Sequence, residues 1–322
     1  MPFPSSSPLR TIFMGSGDIG IPGLNWLAES PDCEVQAVFT QPDRPAGRKL
    51  ALTPTAIKTL ASERGIPVHQ PEKLRDPAAT AILRDLSPDL IVVMAYGQIL
   101  RKEVIELPSL ACINLHASLL PRHRGASPIQ AAIREGDAET GVTVMYIAEG
   151  LDTGDLLLAE RCPILPTDTG DSLHDRLAEV AARALSRAIP LLRAGKAPRT
   201  PQDPGLATYQ GKLNREDGHL SWSDPADRLE RLIRAYDPWP GTFTRTPTGK
   251  LKIFPPVQVL PDNHPENPPG TIRTAAADGL VVTCGCGSLS VTNIQLEGGK
   301  RQDIGAFLRG HGALLVPGQV FS

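Results

Sequence analysis

The sequence predicts an α/β chain in two parts. A mostly parallel sheet, covered by helices on both faces, is followed by a small β-rich barrel or sandwich. Three observations carry this. Strand-like and helix-like segments alternate over residues 9–192. The stretch Arg193–Leu206 (RAGKAPRTPQDPGL) then breaks the pattern with closely spaced Pro and Gly, and is expected to be an interdomain linker. Beyond it the apolar runs are short and cut by Pro and Gly.

The elements follow in order. Leu9–Met14 is a short apolar run ending at Gly15, and Pro22–Glu29 has helical spacing. Glu34–Thr40 alternates as a strand, Thr53–Arg64 is helical after a Thr/Pro start, and Ile66–His69 is a short strand. Pro77–Leu86 is helical, and Asp89–Tyr96 (DLIVVMAY) has the composition of a strand buried on both faces. Strands are predicted at Ala111–His116 and Val142–Ile147, and a long helix at Ser172–Leu192. In the second part, Lys250–Phe254, Val257–Leu260, Gly270–Thr274, Gly279–Thr283 and Ser288–Ile294 read as strands. Only Ala226–Tyr236 reads as a helix there. The expected division is a first domain over 1–192, a linker over 193–206 and a second domain over 207–322.

Composition bounds the function. The chain has 322 residues and a net charge of −2, so a strongly basic nucleic-acid-coating protein is excluded. The charge is uneven: 19 basic against 23 acidic residues over 1–195, and 14 against 12 over 196–322. That sign suits a second domain touching a polyanion. The 32 Pro and 29 Gly have no fixed period and indicate many stiff turns. No apolar run approaches the ~20 residues that span a bilayer. Met1–Arg10 lacks the apolar segment of a secretory signal. Five scattered cysteines do not form a disulfide framework, and a reducing cytoplasm fits them. Cys284-Gly-Cys286 has no further ligands nearby to make a zinc site.

Gly15-Ser16-Gly17-Asp18-Ile19-Gly20 forms a full G-x-G-x-x-G between a strand and a helix. A dinucleotide site also needs an acid at the end of the second strand, ~20 residues on. Phe39-Thr40-Gln41-Pro42 offers none. Close packing of the first helix on the sheet is the better account of the small residues.

The densest polar cluster is Asn114-Leu115-His116-Ala117-Ser118-Leu119-Leu120-Pro121-Arg122-His123-Arg124-Gly125, at the C-terminal end of a predicted parallel strand. Open α/β sheets bind ligands at that edge. Strand alternation puts Asn114 and His116 on one side. An amide donor and a group that exchanges protons near neutral pH can converge there on a developing oxyanion. Asp152, in Gly150-Leu151-Asp152-Thr153-Gly154, follows the next predicted strand and can orient His116. On spacing alone, this trio fits a catalytic site and a set of strand and turn caps equally. His123, between Arg122 and Arg124, is expected at the surface. The segment Gln41–Leu50, with Arg44, Arg48 and Lys49 stiffened by Pro42 and Pro45, fits a solvated loop or a finger that contacts phosphates.

These residues resemble the 10-formyltetrahydrofolate-dependent formyltransferases. The resemblance rests on N-x-H-x-S-L-L-P at Asn114–Pro121, on Arg124-Gly125, and on Asp152 in its Gly-Leu-Asp-Thr-Gly turn. The loop Gln41–Arg48, Ile233-Arg234-Ala235-Tyr236-Asp237-Pro238-Trp239-Pro240 and Val316-Pro317-Gly318 point to members acting on methionyl-initiator tRNA. The resemblance covers nearly the whole chain. It implies a Rossmann-like formyltransferase domain followed by an OB-like β-barrel that binds tRNA. It implies 10-formyltetrahydrofolate as formyl donor, no metal, and a monomer. Asn114, His116 and Asp152 would be catalytic. Ser118, Leu119, Leu120 and Pro121 would border the folate, and Arg44, Arg48 and Lys49 would reach the tRNA. An amino-sugar formyltransferase would explain the trio equally, but does not require the arginine loop. An NAD(P) oxidoreductase and a non-catalytic RNA-binding module are the rivals of other classes.

Overall fold

The computed structural model describes residues 7–46, 51–261, 264 and 266–321. They fall into two compact units, each discontinuous in sequence. The first takes the chain through Gly125, then Glu139–Pro163 and His174–Gln210; the second takes Ala126–Ala138, Ile164–Leu173 and the chain from Gly211.

The first unit is built on a sheet whose central strands are apolar enough to be buried on both faces. β1 (Leu9–Gly15) leads into α1 (Ile21–Glu29), and β2 (Cys33–Phe39) into a hairpin of β3 (Arg44–Ala46) and β4 (Ala51–Thr53). The sequence suggests a plain loop there, but Arg44 pairs with Thr53 and Pro45 with Leu52. The hairpin base is fixed by Asp43, whose carboxylate accepts from Lys58 Nζ and Gln70 Nε2, both at 2.7 Å. Those bonds hold its pKa below the usual carboxylate value.

α2 (Ala56–Glu63) starts where Thr55 Oγ1 accepts from the Lys58 amide at 3.1 Å, and β5 (Val68–His69) follows. α3 (Pro77–Leu86) begins with an Asp76 cap and Pro at its first position. β6 (Leu90–Met94) is buried at all five residues. After the short α4 (Lys102–Ile105) come β7 (Ala111–His116) and a two-residue β8 (Arg124–Gly125), then β9 (Glu139–Tyr146) and β10 (Leu156–Pro163). α6 (Gly170–Arg193) and β11 (Tyr209–Gln210) complete this stretch of chain.

The sheet runs β10-β9-β7-β6-β1-β2-β5. It is parallel from β7 to β5, and β9 joins β7 antiparallel. Gly15 and Gly20 of the G-x-G-x-x-G pattern serve packing. A Cβ on Gly15 would sit 2.6 Å from the Phe13 ring, and one on Gly20 3.2 Å from Ile57.

The second unit holds α5 (Pro128–Arg134), α7 (Ala226–Ala235) and α8 (Ile304–His311) around an antiparallel sheet. Its strands are β12 (Thr242–Thr246), β13 (Gly249–Leu260), β14 (Ile272–Ala276), β15 (Gly279–Thr283), β16 (Ser288–Leu296) and β17 (Gln302–Asp303). Their order is β12-β13-β16-β15-β14, with β17 on β16. Leu229, Ile233, Leu251, Ile272, Leu289 and Phe307 are buried in its core. The helix at Ile304–His311 departs from the expectation of a single helix in this region. Asp303 caps it, with Oδ1 accepting from the Ala306 amide at 2.8 Å.

Candidate active site

β7 runs between a parallel neighbour, β6, and an antiparallel one, β9. Its register sets Asn114 opposite Val93 and Met145, and His116 opposite Thr143. Alternation puts both side chains on one face. Asn114 is half-buried, and its side chain makes no hydrogen bond among the described residues. His116 is buried.

Two bonds define the His116 ring. Nε2 lies 2.8 Å from the carbonyl oxygen of His123, an atom that only accepts, so Nε2 carries a proton. Nδ1 lies 3.7 Å from Asp152 Oδ2. That is an ion-pair distance for the imidazolium and too long for a hydrogen bond. The structure thus brings Asn114, His116 and Asp152 to one edge of the sheet, from strand positions 114 and 116 and from the turn after β9.

The chain after β7 is stapled into a tight turn. Ser118 Oγ donates to the Arg122 carbonyl at 2.7 Å, and Ser118 is fully buried. Thr143 Oγ1 donates to the Ser118 carbonyl at 2.6 Å and accepts from the Leu120 amide at 3.1 Å. Leu120 is buried, whereas Leu119 and Pro121 are half-buried and keep surface open to a ligand.

His123 corrects the sequence expectation: it is buried, not at the surface. Its backbone is left-handed at φ 55°, which turns its carbonyl toward His116, and its amide donates to Thr208 Oγ1 at 2.8 Å. Arg124 is also buried, with Nη1 on the Tyr209 hydroxyl at 2.9 Å and its amide on the Thr208 carbonyl at 2.8 Å. β8 and β11 pair in parallel through these residues. Gly125 donates its amide to Asp152 Oδ2 at 2.8 Å.

The Asp152 turn needs its glycines. A Cβ on Gly154 would collide with the Tyr146 carbonyl, and one on Gly150 with the Thr153 side chain. Asp152 itself is left-handed, at φ 52°. Leu151 beside it is 62% exposed. On the loop after β6, Ile99 is 85% exposed and lines a cavity of ≈ 490 Å³ with Lys73, Leu74, Arg75, Gly97, Gln98 and Arg101. Behind this loop Tyr96 is buried, and burial pushes its phenol pKa up. Among the other predicted residues, Arg44 is exposed on β3, and Arg48 and Lys49 lie outside the described residues. Among the described residues no group of three His, Cys, Asp or Glu is arranged to hold a metal.

Residues 15–189 match the formyl transferase family, and residues 212–312 match the formyl transferase C-terminal domain. The chain belongs to the formyl transferase family. It is 49% identical over 308 residues to a methionyl-tRNA formyltransferase of Akkermansia muciniphila, covering 94% of this chain and 97% of that relative. Two solved structures are similar at low identity. An N-formyltransferase from Helicobacter canadensis, in complex with folinic acid and dTDP-3-aminofucose, is 16% identical with a TM-score of 0.63, covering 91% of this chain and 100% of the other. HypX from Aquifex aeolicus, in complex with tetrahydrofolic acid, is 18% identical with a TM-score of 0.59. That match covers 94% of this chain but only 48% of HypX, so the chain spans about half its length. These two likenesses are of fold.

Proposed function

We propose that this formyl transferase moves the formyl group of 10-formyltetrahydrofolate to the α-amino group of methionyl-initiator tRNA, giving formylmethionyl-tRNA for translation initiation. The observation that carries the chemistry is the amide of Asn114, which makes no hydrogen bond among the described residues, on the same strand face as the buried His116, which faces Asp152. The near full-length identity to the Akkermansia enzyme supports the acceptor.

The folate supplies an activated formyl carbon on N10. Its flat rings and its carboxylates fit a surface that joins apolar and cationic groups. We assign its rings to the open surface of Leu119 and Pro121, and its carboxylates to Lys73, Arg75 and Arg101, which with Ile99 line a cavity. Ser118 and Leu120 act from behind that open surface, by holding the turn.

An α-amino group has a reference pKa of ~8, and esterification of the amino acid lowers it, so a neutral nucleophile is plentiful near neutral pH. As the amine adds to the formyl carbon, negative charge grows on the formyl oxygen. The Asn114 amide donates to that oxygen. His116 exchanges its proton at Nδ1, because Nε2 is committed to the His123 carbonyl. It takes the proton lost by the amine and returns one to N10 as tetrahydrofolate leaves. Asp152 faces the imidazolium formed between these two steps. No covalent bond to the enzyme is needed.

We assign this chemistry to residues 1–192. Residues 207–322 would bind tRNA, with 193–206 as linker, and Arg44, Arg48 and Lys49 would contact the acceptor end. The setting is the cytoplasm, with the chain acting as a monomer. Among the described residues no helix is long and apolar enough to cross a membrane. The decisive assay offers the purified chain 10-formyltetrahydrofolate with either charged initiator tRNA or an amino-sugar nucleotide. Formylation of the tRNA is expected, and formylation of the amino sugar alone would overturn the acceptor assignment.

A further inference from the structure

We infer that Gln202 is a positioning residue of this active site, acting through Asp152. The inference rests on the reading that Asp152 and His116 handle the proton.

Gln202 lies outside every strand and helix, in the stretch with the least sequence signal. Its side chain makes four hydrogen bonds. Nε2 donates to the carbonyl oxygens of Asp152 at 2.9 Å and Gly154 at 2.8 Å. Oε1 accepts from Arg124 Nε at 3.1 Å and Nη2 at 2.7 Å. The amide orientation is forced: carbonyls only accept and a guanidinium only donates, so a flipped amide would set like against like at all four contacts.

These bonds tie together the two pieces of chain that define His116. One is the turn that presents Asp152 Oδ2 to Nδ1; the other is Arg124, the residue after the carbonyl that holds Nε2. Asp152 is a non-glycine residue at φ 52°, a conformation that persists only where its surroundings over-determine it. Two separate anchors do this. Gly125 fixes its carboxylate and Gln202 fixes its main chain. No hydrogen bond or ion pair joins Gln202 to His116 among the described residues, so Gln202 acts on the ring through the chain it holds.

The test uses the full chain with Gln202→Ala, Gln202→Glu, Asp152→Ala and the double variant Gln202→Ala/Asp152→Ala. Gln202→Glu keeps the acceptor for Arg124, so it preserves that link while setting a carboxylate oxygen against the two carbonyls. Both Gln202 variants are expected to lose about 10–100-fold in kcat. KM for tRNA and for folate should stay within about twofold, and the pH profile of kcat should change shape. The double variant should be no slower than Asp152→Ala. If Gln202→Ala fails to fold, Gln202→Glu decides alone. Wild-type kcat in a folded Gln202 variant, beside a slow Asp152→Ala, overturns the positioning role and leaves the assignment of Asp152 standing. Losses that multiply in the double variant also overturn it, since they show an effect independent of Asp152. Full turnover by Asp152→Ala would instead sink the proton-handling reading on which the inference rests.

Discussion

His116 donates from Nε2 to the main-chain carbonyl of His123 at 2.8 Å, seven residues along the same turn. The contact fixes the ring with Nδ1 toward Asp152 and defines which nitrogen exchanges protons. His116→Ala should therefore lose transfer while keeping folate. So should Asn114→Ala, whose side chain has no structural bond among the described residues to lose. Each is expected to lower kcat ~100–1,000-fold. Single-turnover kinetics beside a folate titration separate the two effects, and near-normal turnover in either variant would remove that residue from the mechanism.

Gly125 tests the same geometry from the backbone. It is left-handed at φ 104°, and a Cβ there would collide with the Gln210 carbonyl. Gly125→Ala should part β8 from β11 and release the amide that holds Asp152. A stability loss of roughly 2–4 kcal/mol is expected, with a fall in kcat measured well below the melting point.

Arg44 and Arg48 should affect one substrate only. Arg44→Ala and Arg48→Ala are expected to raise the KM for tRNA far more than for folate. Each should also flatten the salt dependence of the tRNA KM, as fewer phosphate contacts remain. Kinetics varying each substrate at two salt concentrations would show it.

Asp89 gives a pH prediction. Burial pushes its carboxyl pKa up, but bonds from Arg10 and Ser109 outweigh this and hold it below the usual 3.8. A depressed folded pKa stabilises the protein fully above 3.8, and this is lost as pH falls through the lowered value. Asp89→Asn should cost about 1–3 kcal/mol near neutral pH and weaken the acid limb of the stability curve. Thermal melts between pH 2 and 7 would test both.

The five cysteines should react unequally. Cys286 is exposed and the other four are buried. Burial pushes the Cys33 thiol pKa up to about 11 and that of Cys112 to about 12. A thiol reagent should modify Cys286 rapidly in the native chain, and the remaining four only after denaturation.

What was legible in the sequence had a local cause. The apolar run Leu90–Met94 announces a central strand, and Asp76-Pro77 announces a helix start. Asn114, His116 and Asp152 could be singled out because strand periodicity and a Gly-rich turn place them. What escaped was non-local or locally contradicted. Leu156–Pro163 carries Glu160 and Arg161 in its middle, which suits an edge strand whose charges pair with Arg187 and Glu139. Ile304–His311 hides behind Gly305 and Gly310, and tertiary packing of Phe307 overrides their low helix propensity. His123 sits between two arginines, yet a left-handed backbone turns it inward. Gln202 had no signal, since its partners lie 48 to 78 residues away.

The pairing of Tyr209–Gln210 with Arg124–Gly125 has a practical consequence for anyone dividing this chain. The long helix ends at Arg193, and a cut there looks natural. Such a cut would discard Gln202, Thr208 and Tyr209, and with them the partners of Arg124 and His123. A catalytic fragment, a domain graft or a circular permutation should therefore carry the chain through Gln210. One that stops at the helix would keep every residue proposed to do chemistry and lose what holds them in register.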